Sequence, residues 1–245
     1  MATKIEWTEK VWNPVTGCTK VSEACQNCYA EVMARRLQKM PGSADKYRNG
    51  FMPTIHVSSL GEPLEWKKPT MVFVCSMGDL FHKDVSFDFI DMVMNVIREC
   101  PQHTFQILTK RPERMAEYFN DLRGVPQNVW LGTTCESSKH YDRIDHLRKI
   151  NGAKVRFLSC EPLLGNMSDI DLWCIDWVIT GGESGSCARR TPKEWFCNLR
   201  DACLRWNTPF FFKQWGAWSE DGIKQSKYKN GSLLDGREWK QYPKV

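Results

Sequence analysis

Cys18, Cys25 and Cys28 stand in one short stretch, GCTKVSEACQNCYAE, with the spacing C-x6-C-x2-C. Three thiolates from one loop, with no fourth beside them, suit a metal centre that keeps one coordination position open. A cubane iron–sulfur cluster ordinarily takes four cysteines. Held by three, a [4Fe–4S] cluster leaves one iron free to bind another molecule. The x2 pair is also a common spacing for zinc. Zinc would want a fourth ligand, for which Cys75 or His82 could serve, and would make the loop a structural clip. Three unconnected thiols are the remaining alternative.

The rest of the composition narrows the class. Eleven cysteines, an odd number, argue against a disulfide framework and for metal ligands plus buried thiols. The segment MATKIEWTEK lacks the apolar stretch of a signal peptide, and no run approaches the roughly 18 apolar residues of a membrane span. The expectation is a cytoplasmic protein without a membrane partner. A net charge of +5 is compatible with a nucleic-acid or phosphate-bearing partner. With five histidines and no Ser/His/Asp set to single out, a hydrolase has little to stand on. Nothing resembles a P-loop.

The elements that would position the cysteines recur along the chain. Short apolar runs at 71–75, 104–108, 128–132, 154–159, 176–180 and 209–213 have the length and β-branched or aromatic content of strands buried on both faces. A weak first strand is expected within residues 5–15. Between the runs lie helical stripes: Phe89, Ile90, Val93, Met94 and Ile97; Met115, Tyr118, Phe119 and Leu122 after Pro112; Tyr141, Ile144 and Leu147; Trp195, Phe196, Leu199 and Cys203. An earlier stripe of Tyr29, Met33, Ala34 and Leu37 follows Cys28. Alternation of this kind implies βα units and a parallel sheet. The expected fold is α/β, a complete or partial (β/α) barrel forming one domain over residues 1–245. A doubly wound open sheet is the runner-up, weakened because no Gly-rich dinucleotide fingerprint follows any strand.

In such barrels the site is built from the loops after the strands. Those loops supply Ser76 and Asp79, then Lys110 and Arg111, then Glu136, Glu161, Gly182 with Glu183, and Lys213. Lys110 and Arg111 start a helix, where positive charges oppose the dipole, so an anionic partner is attractive there. Glu136 and Glu161 could bond a ribose hydroxyl or amino group, or pair with Lys110 or Arg111 inside the barrel mouth. Cys75, Cys135 and Cys160 also fall at strand ends, where free cysteines are most often buried.

The cysteine loop with its Cys-Tyr-Ala continuation, and the stretches GDLFH, LTKRPERM, SCEPLLG and GGESG, resemble the phage- and prophage-associated three-Cys-motif family. That family is related to radical S-adenosylmethionine (SAM) enzymes, and the resemblance runs from Trp12 to Gly216. It implies a barrel of the radical-SAM type in which Cys18, Cys25 and Cys28 hold a [4Fe–4S] cluster. SAM would chelate the open iron and be cleaved to a 5′-deoxyadenosyl radical that abstracts hydrogen from a substrate. Ser76, Asp79, Lys110, Glu136, Glu161, Gly182, Glu183 and Lys213 would line the cofactor pocket. An electron donor such as flavodoxin or ferredoxin is implied as a partner, and a nucleobase or nucleic acid is the substrate class considered. The usual spacing is C-x3-C-x2-C, so the first gap here is longer. Radical SAM proteins also carry a Gly-Gly-Glu-like segment after the second strand, holding SAM's amino group. Here that place reads Met77-Gly78-Asp79, and the literal Gly181-Gly182-Glu183 comes later. Either Asp79 does that work, or the later segment approaches from across the barrel. A zinc- or cluster-stabilised nucleic-acid-binding barrel and an iron–sulfur DNA-repair lyase are the alternatives in function.

Residues 216–245 read as a C-terminal extension. Turn signals at Asn230-Gly231 and Asp235-Gly236 imply a small hairpin. Trp218, Tyr228, Trp239 and Tyr242 alternate there with Lys224, Lys227, Lys229, Arg237 and Lys240. The hairpin is expected to plug one end of the barrel, with nucleic-acid binding as the alternative. The polar segment 41–69 is long enough to be a lid or binding loop.

Overall fold

A computed structural model of the chain describes residues 3, 5–121 and 123–244; Leu122, expected at the end of a helical stripe, lies outside them. From the N-terminal side come β1 (Lys10–Trp12), β2 (Val15–Thr16), α1 (Tyr29–Leu37), β3 (Thr54–Ile55), β4 (Met71–Val74) and α2 (Phe87–Glu99). Next come β5 (Thr104–Thr109), α3 (Pro112–Asn120), β6 (Val129–Thr134), α4 (Asp142–Arg148), β7 (Val155–Cys160) and β8 (Trp177–Thr180). The chain ends with α5 (Lys193–Arg205), β9 (Phe210–Phe212), α6 (Lys227–Asn230), β10 (Leu233–Leu234) and β11 (Arg237–Glu238).

Seven of these strands form one sheet in the order β1-β4-β5-β6-β7-β8-β9. The pairings β1–β4, β4–β5, β7–β8 and β8–β9 are parallel. Chain order is kept throughout. A doubly wound sheet reverses direction at a switch point, so the runner-up is excluded. Strands β1 and β9 are not neighbours in the sheet, which makes this the partial form of the (β/α) barrel. Every residue of β6, β8 and β9 is buried, as parallel strands covered on both faces require.

The helices form where the stripes place them. Ser86 Oγ accepts from Phe89 N and caps α2, which buries Phe89, Ile90, Val93, Met94 and Ile97. Pro112 occupies the first turn of α3, where its missing N–H costs nothing. One stripe is corrected: in α1 the buried residues are Ala30 and Ala34, whereas Tyr29 and Met33 are exposed. The two alanines pack with Tyr47 and Met77, and Leu37 is only partly covered. Small residues let the helix lie close, so its larger apolar side chains are left on the outside.

The chain packs as two compact units. The first comprises Met1–Leu131 with Ile150–Lys154, the second Gly132–Lys149 with Val155–Val245. In the second, β10 and β11 form the expected hairpin around Asp235-Gly236, both at positive φ. Asn230-Gly231 does not turn a hairpin; it ends α6, with Gly231 at φ 68°. Beyond the hairpin the chain runs antiparallel along β9 with Phe211 opposite Lys240, so it covers a strand edge where a plugged barrel end was expected. No helix among the described residues is long and apolar enough to cross a membrane.

Candidate functional site

The cysteine loop in the first unit is held by backbone. Gly17 N donates to Met77 O at 2.8 Å and Cys18 N to Phe51 O at 3.1 Å. Gly17 and Gly78 face each other as a parallel bridge, which lays Gly17-Cys18 beside Gly78-Asp79. Gly17 sits at φ +79°, and a Cβ there would stand 2.1 Å from Met52 O. No other residue type fits. Strand β2 pairs with β3, so the segment read as a lid or binding loop runs beside the chain that leads into the cysteine loop.

The three thiols occupy different local settings. Cys25 closes a 3-10 turn, Glu23–Cys25, and Cys28 is the N-cap of α1. All three are partly exposed, whereas Cys75, Cys100, Cys135, Cys160 and Cys203 are buried. Among the described residues the three sulfurs do not gather within 4.8 Å of one another. Four thiolates on one zinc ion would stand about 3.8 Å apart, given its 2.3 Å bonds. Both ring nitrogens of His82 are also engaged, Nε2 with Thr19 Oγ1 at 2.8 Å and Nδ1 with Asp84 N at 3.2 Å. Burial pushes the Cys75 thiol up to about 12.

Around Cys18 the strand-end residues converge. Arg111 Nη1 donates to Cys18 Sγ at 3.3 Å and to Asp79 Oδ2 at 2.8 Å, while Nη2 reaches Thr19 O and Oγ1, each at 3.0 Å. Asp79 Oδ1 accepts from Thr109 Oγ1 at 2.7 Å and from Phe81 N at 3.0 Å. Ser76 Oγ and Met77 N share Asn13 Oδ1, and Tyr29 OH donates to Ser76 O at 2.5 Å. The charges act differently on two of the thiols. Burial and Asp79 push Cys18 up, with Arg111 opposing. At Cys25 burial is outweighed by Lys110 and by hydrogen bonds from Val21 and Ser22, so its thiol is pulled down. Cys18, Ser76, Asp79 and Lys110 thus belong to one neighbourhood. Arg111, Asn13, Thr19 and Tyr29 complete it. Of these, only Arg111 carried a signal in sequence, as a cation opening a helix.

The strand-end residues of the second unit make separate pairs. Glu136 is fully buried; Arg143 Nη1 donates to its Oε2 at 2.9 Å, and His140 Nε2 stands 3.4 Å from Oε1. Lys213 Nζ lies 3.1 Å from Glu161 Oε1. Glu183 receives three hydrogen bonds from Arg189, through its backbone N, Nε and Nη2. A Cβ on Gly182 would stand 1.9 Å from Trp215 O, so this glycine admits neighbouring backbone.

A family model described as "Protein of unknown function (DUF5131)" matches residues 2–243. No curated protein matches. Among solved structures the chain is similar to a cysteine-to-serine mutant of spore photoproduct lyase, at 14% identity and TM-score 0.46, covering 84% of this chain and 63% of that one. A tyrosine-to-phenylalanine mutant of the same enzyme aligns at 11% identity and TM-score 0.48, covering 82% of this chain and 75% of that one. A double mutant with bound AdoMet and dinucleoside spore photoproduct aligns at 12% and 0.42, covering 80% of this chain and 61% of that one. The chain spans less than two thirds of the length of the first of these.

Proposed function

We propose that this chain, which belongs to the DUF5131 family of proteins of unknown function, is a radical SAM-like enzyme whose Cys18, Cys25 and Cys28 hold a [4Fe–4S] cluster. The observation that carries this reading is the loop itself: three part-exposed thiols, spread too widely for one ion and flanked by Arg111 and Lys110. A cluster of this kind, when bound, supplies the electron that cleaves SAM to a 5′-deoxyadenosyl radical, which takes hydrogen from substrate.

The protein's own residues divide the remaining work. Lys110 favours the ionised form of Cys25, and Arg111 donates to the Cys18 sulfur, which steadies a thiolate ligand. Gly17 and Gly78 keep Asp79 beside the cysteine loop. Asp79 follows β4, the second strand of the sheet, whereas Glu183 follows β8 and is taken up by Arg189. Strand order therefore favours Asp79 for the amino group of SAM, with Ser76 beside it. Glu136, Glu161, Gly182 and Lys213, at strand ends of the second unit, are proposed as further cofactor-binding residues on those positions alone.

For substrate we propose a nucleobase or nucleic acid, on the net charge of +5. The exposed Tyr228 ring with Lys227 Nζ 5.3 Å from its centroid keeps nucleic-acid binding without catalysis as a second reading. The test is low-temperature EPR on anaerobically reconstituted, dithionite-reduced protein. A reduced-cluster signal that changes shape on adding SAM is expected. A signal indifferent to SAM, or bound zinc without a cluster, would overturn the proposal.

A further inference from the structure

In the second unit, the loop after β8 and the chain beyond β9 enclose a cavity of about 360 Å³, at the lower end of the range for small-molecule sites. The loop supplies Ser184 and Gly185, and the later segment Ala217, Lys224, Gln225, Ser226 and Lys227. Backbone ties the two together. Ala217 N donates to Glu183 O at 2.8 Å, and Gln225 N to Ala217 O at 2.9 Å. Trp218 and Lys224 face each other as an antiparallel bridge, and Trp218 Nε1 donates to Ala188 O at 2.8 Å. The walls are therefore built without help from a ligand.

The lining indicates the occupant: it offers donors and holds no carboxylate. Lys224 Nζ donates to Ser186 O, which anchors the ammonium and leaves two of its three hydrogens for another acceptor. Residues 222–234 carry three lysines and no acid. Glu183, next to Ser184, is held by Arg189, and Glu220 by Lys193. Among the described residues, neither Lys224 nor Lys227 has a carboxylate partner. Gly185 holds φ +110° with nothing within 4 Å of where a Cβ would stand, so no packing contact explains its backbone. Such a glycine lets backbone approach a ligand closely. A phosphate monoester carries about two negative charges at neutral pH and three strong acceptor oxygens. That matches two cations beside hydroxyl and amide donors; a phosphodiester, with one charge, matches half of it.

We infer that this cavity binds a small phosphorylated molecule by its monoester phosphate, held by Lys224 and Lys227 with Ser184, Gln225 and Ser226 donating to its oxygens. Two lysines that line one cavity repel each other, and a dianion between them turns that repulsion into attraction. The inference is independent of the reading of the cysteine loop, which belongs to the first unit.

The experiment is calorimetric titration of the full-length protein with AMP, with cyclic AMP and adenosine as comparators. AMP should bind, and inorganic phosphate should compete with it. Cyclic AMP, a diester, and adenosine, without phosphate, should each bind about tenfold or more weakly than AMP. A Lys224→Ala/Lys227→Ala variant should lose about tenfold or more in affinity for AMP, while Lys224→Arg/Lys227→Arg stays within about threefold of the parent. Lys229→Ala, which removes a charge outside the lining, should bind as the parent does. Circular dichroism unchanged in all three variants separates lost binding from lost fold. No binding of AMP, or equal affinity in the parent and the double alanine variant, overturns the inference. Cyclic AMP or adenosine binding as tightly as AMP overturns it too, because the monoester would then not be what is recognised. So does a loss in Lys229→Ala as large as in the double variant, which would make the effect one of overall charge. A short oligothymidylate without terminal phosphate that binds through Lys224 and Lys227 more tightly than AMP would give the cavity to a strand backbone and overturn it as well.

Discussion

Two strand-end carboxylates, Asp79 and Glu183, look alike in sequence surroundings and in pairing: each follows a strand and a glycine, and each meets an arginine. Their arginines differ. Arg189 comes from the same loop as Glu183 and gives it three hydrogen bonds, closing a local knot. Arg111 comes from the end of the next strand, β5, and divides itself among Asp79, Thr19 and the Cys18 sulfur. The first pair organises a loop; the second ties a carboxylate to the Cys18 thiol. A Gly-Gly-Glu segment therefore says less about chemistry than the question of what else its counter-ion touches.

The sharpest way to break that contrast is to remove the thiols. Cys18→Ser, Cys25→Ser or Cys28→Ser should each reduce iron and sulfide per reconstituted chain to background. Cys135→Ala, at a strand end of the second unit, should keep the full complement because its thiol is buried and pushed up to about 12. Equal losses in both sets would show that the cysteine loop is not special.

The carboxylates come next. Asp79→Asn strands Arg111, whose side chain is 14% exposed, and should cost about 3 kcal/mol in urea unfolding. It should also abolish the spectroscopic response to SAM. Glu183→Gln leaves Arg189, which is 30% exposed, access to water, so about 1 kcal/mol is expected, with the response to SAM kept. The opposite assignment of the SAM response would transfer the role to Glu183.

Gly17→Ala tests the clasp that joins the two halves of the first site. A non-glycine residue at positive φ costs about 1–3 kcal/mol, and here its Cβ would also collide with Met52 O. A several-fold drop in reconstituted iron, with secondary structure retained, is the expected result. Near-parental iron loading would mean that the loop tolerates displacement from Met52.

The smallest effect concerns the ion pairs of Asp235 in the second unit. Lys193 and Arg200 hold Asp235 at about 2, below its ordinary 3.8. A depressed carboxylate stabilises above its unfolded value and loses that contribution as pH falls through its folded one. Acid titration from about pH 4 to about pH 2 should thus loosen the β10–β11 hairpin. In Asp235→Asn that pH-dependence should be absent, as read from hydrogen exchange of the hairpin amides.

The strands and most helices were legible because period and length are set locally: runs such as MVFVC and TFQIL are too short and too apolar to be anything but buried strands. The three cysteines could be singled out for the same reason, being close in sequence. What escaped was long-range or depended on packing distance. Asn13 binding Ser76 and Arg111 reaching Cys18 join residues 63 and 93 positions apart, and no local pattern encodes them. The outward turn of Tyr29 and Met33 escaped because alanines, not large side chains, allow the closest approach of α1. The assignment of Asn230-Gly231 failed because the same dipeptide that turns a hairpin also terminates a helix.

The antiparallel run of residues around Lys240 along β9 matters for the behaviour of the chain in a crowded mixture. Phe212 N donates to Trp239 O and Gln241 N to Phe210 O, while Lys240 Nζ reaches the carbonyls of Phe212 and Lys213. An uncovered β9, three phenylalanines in a row, would offer a sticky template to a second chain. Residues 239–241 thus cap an edge that would otherwise stand open, and their removal is expected to lower solubility.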